Sequence, residues 1–230
     1  MVKYQVCIFA LVALGLVVTA DGFSSRLGWL SPRSQDGGRI VGGKEVVPHS
    51  LPWQAWLHGD LFCGAVIICS RYVMTAGHCS EQDTIEVGLH SISNKTEFQT
   101  TRSRHHVKRS FRHPDYFEYP YPEYSKYDFA ILELENPINF IPEVKAISLP
   151  SATDTHFDED TVFVTSGWGR ISSFEPPSNV LLSVSVPWVP QKICRENYKK
   201  QGFKVTNDMI CAGDVENGQI DSCQGDSGGE

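Results

Sequence analysis

Short apolar runs broken by Gly, Pro, Asn and Ser dominate the chain from residue 40 onward. The runs are rich in β-branched and aromatic residues, a composition that favours strands over helices. No long segment has the apolar repeat of an amphipathic helix, and only 195–201 is expected to form a short one. The pattern predicts an all-β domain, built as a barrel or a sandwich. The strand candidates are 62–68, 72–75, 129–134, 161–165 and 181–186.

The stretch 111–126 departs from this pattern because it contains four tyrosines and three prolines. Pro120 and Pro122 stand too close together for a central strand, since proline has no N–H to donate to a sheet. We therefore predict a loop. Two interpretations remain open: a packed surface loop, or a wall that contacts a substrate, because conspicuous loops often carry function.

The first 20 residues have the composition of a signal peptide. Lys3 gives the positive start, the segment 6–18 is apolar, and residues 18–20 are small enough for cleavage. The alternative is a transmembrane anchor, but the run is shorter than the ~20 apolar residues that a span needs. Residues 21–39, which are rich in Ser, Gly and Arg, are interpreted as a short propeptide.

Charge and cysteine content narrow the classes of function. The 230 residues are 41% hydrophobic and 20% charged, which allows a sizeable core. The formal net charge of −7 argues against a nucleic-acid partner, which needs a basic surface. Six of the seven cysteines remain if Cys7 leaves with the signal peptide. They are spread too widely for a zinc site, export permits disulfides, and counting alone does not fix their connectivity.

Three short motifs carry candidate chemistry. They are Thr-Ala-Gly-His-Cys ending at Cys79, Tyr-Asp-Phe-Ala-Ile-Leu starting at Tyr127, and Asp-Ser-Cys-Gln-Gly-Asp-Ser-Gly-Gly starting at Asp221. Each motif alone has an ordinary explanation: a surface histidine, a carboxylate at a strand start, or a flexible turn. Together they supply a serine, a base and a group that orients the base. A serine hydroxyl is a weak nucleophile that needs both helpers.

The order His78, Asp128, Ser227 in these contexts resembles the chymotrypsin-type serine proteases, and among them the trypsin-like branch. The resemblance implies two antiparallel six-stranded β-barrels with the active site between them. In that arrangement Ser227 attacks the scissile carbonyl, His78 moves the proton and Asp128 orients the imidazole. It also implies a protease domain over 40–230 whose C-terminal part is missing, so that the second barrel is incomplete.

The resemblance assigns roles to further residues near the serine. The N–H groups of Gly225 and Ser227 would form the oxyanion hole, where one donor is typically worth ~3–4 kcal/mol of transition-state stabilisation. Asp221 would lie at the floor of the primary specificity pocket, where a desolvated carboxylate favours Lys or Arg side chains.

Arg39 and Ile40 resemble the activation site of the family. Cleavage after Arg39 would free the α-amine of Ile40, which in relatives pairs with the carboxylate that matches Asp226. Such a buried ion pair is a poor stabiliser but a good switch, because each charge is costly without its partner. Residues 21–39 contain no cysteine, so the released propeptide would not stay tethered.

The resemblance further implies disulfides, and it implies no cofactor. Cys223 has no expected partner within the chain, and Cys69 is expected to be a buried free thiol. No metal is expected, because the segment 90–102, where some relatives bind calcium through several carboxylates, has Glu97 as its only acid. Asn94-Lys95-Thr96 is a glycosylation sequon. The implied disulfides are Cys63–Cys79 and Cys194–Cys211.

The sequence thus predicts a secreted, extracellular zymogen of a serine endopeptidase that cuts after Lys or Arg through an acyl-enzyme. Its partners would be polypeptide substrates, an activating protease and protein inhibitors, with no nucleic acid and no membrane. The alternatives are a non-catalytic homologue, or a truncated chain without activity. Non-catalytic homologues usually lose a triad residue, and the intact triad therefore favours the enzyme.

Overall fold

The computed structural model describes residues 16–17, 43–59, 61–120, 123–151, 157–170, 176–200, 202–215 and 226–229. The helix α1 and two short 3-10 helices accompany the strands of this part of the chain. The strands are β1 Leu16–Val17, β2 Lys44–Glu45, β3 Gln54–His58, β4 Cys63–Cys69, β5 Tyr72–Thr75, β6 Thr84–Val87, β7 Ser103–Arg112, β8 Phe117–Pro120, β9 Glu123–Lys126, β10 Ala130–Leu134, β11 Val162–Gly167, β12 Leu182–Val189 and β13 Met209–Ala212. α1 is Gln191–Lys199, and the 3-10 helices are Gly77–Cys79 and Lys95–Gln99.

Six antiparallel strands close into a barrel in the order β10, β5, β4, β3, β6 and β7, and β7 pairs back onto β10. Along each strand alternate side chains point into the barrel. Leu57, Val73, Ile85 and Leu132 fill this interior and are at most 1% exposed. Because closure removes the open sheet edges, the barrel is a rigid scaffold that holds the residues at its rim in place.

A second sheet is centred on β12, which pairs with β11, β13 and β2. The two-residue strand β1 pairs in parallel with β13, but it lies in the segment 1–20 that is predicted to be removed as a signal peptide. Leu182, Val184 and Val186 pack against Phe163 in its core. Trp168 follows β11, is 1% exposed, and donates from Nε1 to the carbonyl of His90 at 3.0 Å, which ties this sheet to the barrel. The prediction of an all-β fold is confirmed, with one barrel closed and the second shown in part.

The strand candidates correspond to β4, β5, β10, β11 and β12. The apolar pattern missed several other strands, of which β7 is the longest. From residue 108 to its end at Arg112 every residue of β7 is exposed. This strand exists because it bridges β6 and β10 and so closes the barrel, and a tertiary cause of that kind leaves little trace in the local pattern.

The prediction of a loop over 111–126 is wrong. Residues 111 and 112 end β7, and β8 and β9 form an antiparallel hairpin in which Pro120 stands opposite Glu123. The argument from proline excluded a central strand only. A two-stranded ribbon consists of edge strands, and the end of an edge strand tolerates a residue without an N–H.

The short helix was predicted too late in the chain, since α1 begins at Gln191 and ends at Lys199. It starts directly after Pro190, whose φ of −51° leads into the first turn. Cys194 is the buried residue of α1 and is disulfide-bonded to Cys211. A covalent tertiary contact therefore holds this helix in place, rather than a broad apolar face.

The prediction that Cys69 is a buried free thiol is also wrong. Cys69 is disulfide-bonded and only half-buried. It is the last residue of β4, and the register of β4 against β5 shifts between Ile67 and Cys69. Such an irregularity bends a strand. The strand end therefore leaves the barrel core, and Cys69 is half-buried there.

A buried ion cluster lies under the loop 90–102. Glu86 on β6 is fully buried, and its carboxylate accepts hydrogen bonds from Nε of Arg102 at 2.5 Å and from Nε of Arg104 at 2.9 Å. Burial alone would raise the pKa of Glu86, but the hydrogen bonds from Arg104 and Arg102 and the charges of Arg102 and His58 outweigh it. The pKa is therefore held below its usual value.

Arg102 connects this cluster to the loop above it. Its Nη1 donates to the carbonyl of Ile92 at 2.9 Å and to that of Ser91 at 3.2 Å. Phe98 covers the guanidinium, with its ring centre 4.4 Å from Cζ of Arg102. One buried cation therefore satisfies a buried carboxylate and the backbone of the loop together.

We expect Arg102→Ala to lower the free energy of unfolding by about 3 kcal/mol, because it leaves a buried carboxylate with fewer partners. Because the pKa of Glu86 is lowered by folding, its contribution is present above its unfolded pKa and disappears as the pH falls through the folded pKa. Urea unfolding at neutral and acidic pH measures both effects. Arg71→Ala is the control, since Arg71 is exposed and its Nη1 donates to the backbone carbonyl of Glu135 at 3.0 Å rather than to a buried carboxylate. Equal losses in the two variants would contradict the prediction.

Candidate active site

His78 lies in the 3-10 helix Gly77–Cys79 that follows β5 at the rim of the barrel. The disulfide Cys63–Cys79 ties this turn to the start of β4. The side chain of His78 is 32% exposed, so its ring can meet a substrate while its backbone is fixed. The turn is thus held covalently immediately after the histidine.

Asp128 binds His78 through both of its carboxylate oxygens. Oδ1 accepts the backbone N–H of His78 at 2.9 Å, and Oδ2 lies 2.8 Å from Nδ1 of the same residue. A carboxylate can only accept at neutral pH, so Nδ1 carries the proton and Nε2 is left as a base. The two contacts fix both the position and the tautomer of the imidazole.

The backbone around Asp128 is set by its neighbours. Tyr127 has a positive φ of 49°, its N–H donates to Asp208 at 3.3 Å, and its ring stacks on His113 with centroids 4.7 Å apart. His113 also donates its backbone N–H to Phe129 at 3.1 Å. These contacts on both sides hold the carboxylate at the end of β10 nearest the histidine.

Tyr116, just before the hairpin β8–β9, borders this pair. Its ring and the carboxylate of Asp128 both come within 3.0 Å of the position that a Cβ on Gly77 would occupy. Arg112 stacks on the ring with Cζ 4.8 Å from the centroid. The hairpin therefore starts beside the His78 turn. Sequence reasoning had noted Tyr116 only as one tyrosine of a loop.

The turn Asp226–Gly229 docks on the barrel next to His78. The carbonyl of Ser227 accepts the N–H of Gly64 at 2.8 Å and lies 3.9 Å from Sγ of Cys79. Gly228 has φ +78°, and a Cβ there would come within 2.2 Å of Oγ1 of Thr75 and 2.6 Å of the Gly64 carbonyl. Only glycine combines this backbone conformation with so close an approach.

Asp226 points the other way, into the second sheet. It is 5% exposed, and its Oδ1 accepts the backbone N–H of Gly169 at 2.8 Å. A Cβ on Gly167 or on Gly169 would lie 2.2 to 2.5 Å from the atoms of this carboxyl group. These two glycines form a cradle that the motif analysis missed, although their position on either side of the buried Trp168 was the available signal.

Sequence-predicted residues thus fall into two groups. The structure brings together His78, Asp128 and the Ser227 turn, and it contains both disulfides that the resemblance implies. The sulfurs of Cys63 and Cys79 also lie near His78, but a disulfide offers no thiolate to a metal ion. The other predicted residues, Arg39, Ile40, Asp221, Cys223 and Gly225, lie outside the described residues.

An oriented imidazole beside a serine turn is the arrangement that acyl transfer requires. A family model described as Trypsin matches residues 40–229. Trypsin 5G1 of Aedes aegypti is 39% identical over an alignment of 231 positions that covers 93% of this chain and 82% of that protein. Trypsin of Simulium vittatum is 36% identical over an alignment of 229 positions that covers 96% of this chain and 85% of that protein.

A solved structure agrees with the sequence relatives. Neuropsin, a serine protease expressed in the limbic system of mouse brain, superposes with a TM-score of 0.69 at 32% identity, over 81% of this chain and 79% of that chain. The matched family model spans the barrel, the second sheet from β2 onward and the His78–Asp128 pair. The chain therefore belongs to the trypsin family of serine proteases and is a serine endopeptidase.

Proposed function

We propose that the protein is the secreted zymogen of a serine endopeptidase that cleaves polypeptides after Lys or Arg. The observation that carries the proposal is the meeting of the His78–Asp128 pair with the Ser227 turn on one rim of the barrel. We assign Ser227 as the nucleophile, His78 as the base, Asp128 as the orienting group, and the N–H groups of Gly225 and Ser227 as the oxyanion hole.

Each step of the proposed reaction moves one proton through His78. Oγ of Ser227 forms a bond to the scissile carbonyl carbon while Nε2 of His78 takes its proton. The two oxyanion donors stabilise the tetrahedral oxygen. The C–N bond then breaks as the imidazolium gives its proton to the leaving amine. Water repeats the sequence on the acyl-enzyme and frees the serine, while Asp128 stabilises the imidazolium in both halves.

Secretion rests on the leader-like segment 1–20. Among the described residues no helix is long and apolar enough to span a membrane. The matched relatives carry the name trypsin, and the family match begins at residue 40, directly after the proposed propeptide 21–39. Besides its polypeptide substrates, the protein would meet an activating protease and protein inhibitors.

Activation is proposed to act through Asp226. Cleavage after Arg39 frees the α-amine of Ile40, which pairs with the Asp226 carboxylate. The cradle of Gly167 and Gly169 supports this role, because it holds the carboxylate in a buried place where a positive partner has a large effect. The next residue is Ser227, so an ion pair at Asp226 would stabilise the nucleophile turn in its docked position.

We expect Arg39→Gln to keep the protein nearly inert after exposure to a trypsin-like activator, because the Ile40 amine is never released. The measurement is hydrolysis of a chromogenic Arg ester together with N-terminal sequencing of the product. Arg33→Gln is the matched control within the propeptide and should activate normally. An uncut Arg39→Gln protein with the activity of processed wild type would contradict the zymogen proposal.

Specificity is proposed to come from Asp221, six residues before the nucleophile. A buried carboxylate in a substrate pocket is stabilised by a Lys or Arg side chain, whereas a neutral side chain leaves it desolvated and unpaired. The assignment rests on the distance from Ser227 along the family motif.

We expect Asp221→Ser to lower kcat/KM for Arg and Lys peptides, with a loss of about 2–5 kcal/mol in transition-state binding. The value of kcat/KM for the Phe and Ala peptides should stay almost unchanged. Matched peptides that differ only in Arg, Lys, Phe or Ala on the acyl side of the cut bond measure the effect. Asp160→Ser, at an exposed position, is the control. Equal wild-type rates on all four peptides, or a preference for Phe, would contradict the assignment of Asp221 to the pocket.

A further inference from the structure

The loop above the buried ion cluster contains Asn94-Lys95-Thr96. The sequence has seven asparagines, and only Asn94 is followed two residues later by Ser or Thr. An Asn-x-Ser/Thr sequence, with x other than Pro, is the acceptor for N-linked glycosylation in exported proteins. The chain therefore offers a single acceptor, whose local structure decides whether a glycan fits.

Asn94 is exposed and directly precedes the 3-10 helix Lys95–Gln99. Its Oδ1 accepts the N–H of Thr96 at 3.1 Å and the hydroxyl of Thr96 at 2.6 Å. The three residues thus form a tight turn in which the threonine hydroxyl contacts the asparagine amide. Ser93, Lys95 and Thr96 are exposed as well, so a bulky substituent meets solvent on this side.

After glycosylation the amide nitrogen Nδ2 of Asn94 would still carry one hydrogen, which can be donated to a protein acceptor. Nδ2 of Asn94 lies 3.4 Å from Oε1 of Glu97, and its second hydrogen is not needed for that contact. Below the turn, Glu97 and Arg102 are buried and bound to the loop backbone. A glycan on Asn94 can therefore extend into solvent without displacing any of these contacts.

We propose that Asn94 carries an N-linked glycan in the secreted protein. In this step a bond forms between Nδ2 of Asn94 and C1 of an oligosaccharide that a polyprenyl diphosphate supplies. The bond from C1 to the diphosphate oxygen breaks, the lipid diphosphate leaves with the electron pair, and Nδ2 loses one proton. The proposal rests on the proposed secretion, because the lipid-linked donor is met only on the export pathway.

Position 95 gives a sharp control. Lys95 is the first residue of the 3-10 helix, where proline is well tolerated, and Asn94 has φ −78° and ψ 93°, an extended conformation that suits the residue before proline. Lys95→Pro should therefore fold, with both sequon side chains in place, and yet destroy the acceptor. Lys95→Ala changes the same residue and leaves the acceptor intact.

The test expresses the full chain in eukaryotic secretory cells and measures the intact mass and the 94–96 peptide, with and without peptide N-glycosidase. Protein from the medium and from the cell lysate is analysed in parallel. We expect a glycan on the wild type, on Lys95→Ala and on Thr96→Ser, and its complete loss in Lys95→Pro, Thr96→Val and Asn94→Gln. An unmodified wild type in the medium, or a glycan that persists in Lys95→Pro, overturns the proposal.

Failure of export is a separate outcome. If the chain does not enter the secretory pathway, the proposed signal peptide is wrong, and the same variants are then expressed with residues 1–20 replaced by the leader of a well-secreted protein. A glycan that appears there on the wild type and is lost in Lys95→Pro supports the site. An unmodified Asn94 in that exported protein overturns it.

Discussion

Asp128→Asn is expected to lower kcat, and with it kcat/KM, by about 10⁴-fold, the loss in kcat known for the same change in a related serine protease. The geometry gives the reason. The backbone N–H of His78 points at Oδ1 and needs an acceptor, so the amide oxygen of the asparagine must take that place. The amide NH₂ then faces Nδ1 of His78, which must become an acceptor. The ring proton moves to Nε2, and the base is lost.

The measurement is kcat/KM as a function of pH for a chromogenic peptide. Activity should recover partly at high pH, where a weaker base or hydroxide can act on the serine. Asp115→Asn, at an exposed position close to Asp128 in the chain, is the control and should retain wild-type rates. An Asp128→Asn protein with rates within tenfold of wild type would show that the two hydrogen bonds do not set the tautomer.

Ser227→Ala is expected to have a still larger effect, a loss of about 10⁶-fold in kcat. The change removes the atom that forms the acyl bond, and it leaves in place the hydrogen bond of the Ser227 carbonyl to Gly64 and that of the Asp226 carboxylate to Gly169. Folding should therefore be retained while covalent chemistry is lost. A low residual rate from substrate binding and the oxyanion donors is expected.

Two measurements separate this result from misfolding. Wild-type protein should show a burst of acyl-enzyme formation and react with a fluorophosphonate at residue 227, and the variant should do neither. Ser110→Ala, on the exposed part of β7, is the matched control and should be fully active. Near-normal turnover by Ser227→Ala would remove the serine from the mechanism.

The residues that carry chemistry could be read from the sequence because each lies in a short local motif. What supports them could not. Glu86 and Arg104 stand opposite each other only in the register of β6 against β7, and β7 itself has too few apolar positions to be recognised. The glycine cradle of Asp226 likewise joins residues 57 positions apart in the chain.

Two predictions, the loop over 111–126 and the buried thiol of Cys69, were wrong for identifiable structural reasons. Proline was taken to exclude a strand in 111–126, whereas it excludes only a central one, and a hairpin has none. Cys69 was expected to be a buried free thiol because the family resemblance offers it no partner, whereas it is disulfide-bonded and a change of register at the end of β4 brings it toward the surface. The hairpin and the exposed end of β4 both depend on strand pairing, which no local pattern encodes.

The hydrogen bond from Gly64 to the Ser227 carbonyl links the nucleophile turn to a strand of the closed barrel. Gly64 is buried, so its amide hydrogen is protected from exchange with solvent water while the turn is docked, and lifting of the turn exposes it. The exchange rate of this one amide therefore reports the fraction of molecules whose serine is out of place. The amide resonance of Gly64 on β4 would thus report how often the Ser227 turn is docked, without any substrate being present.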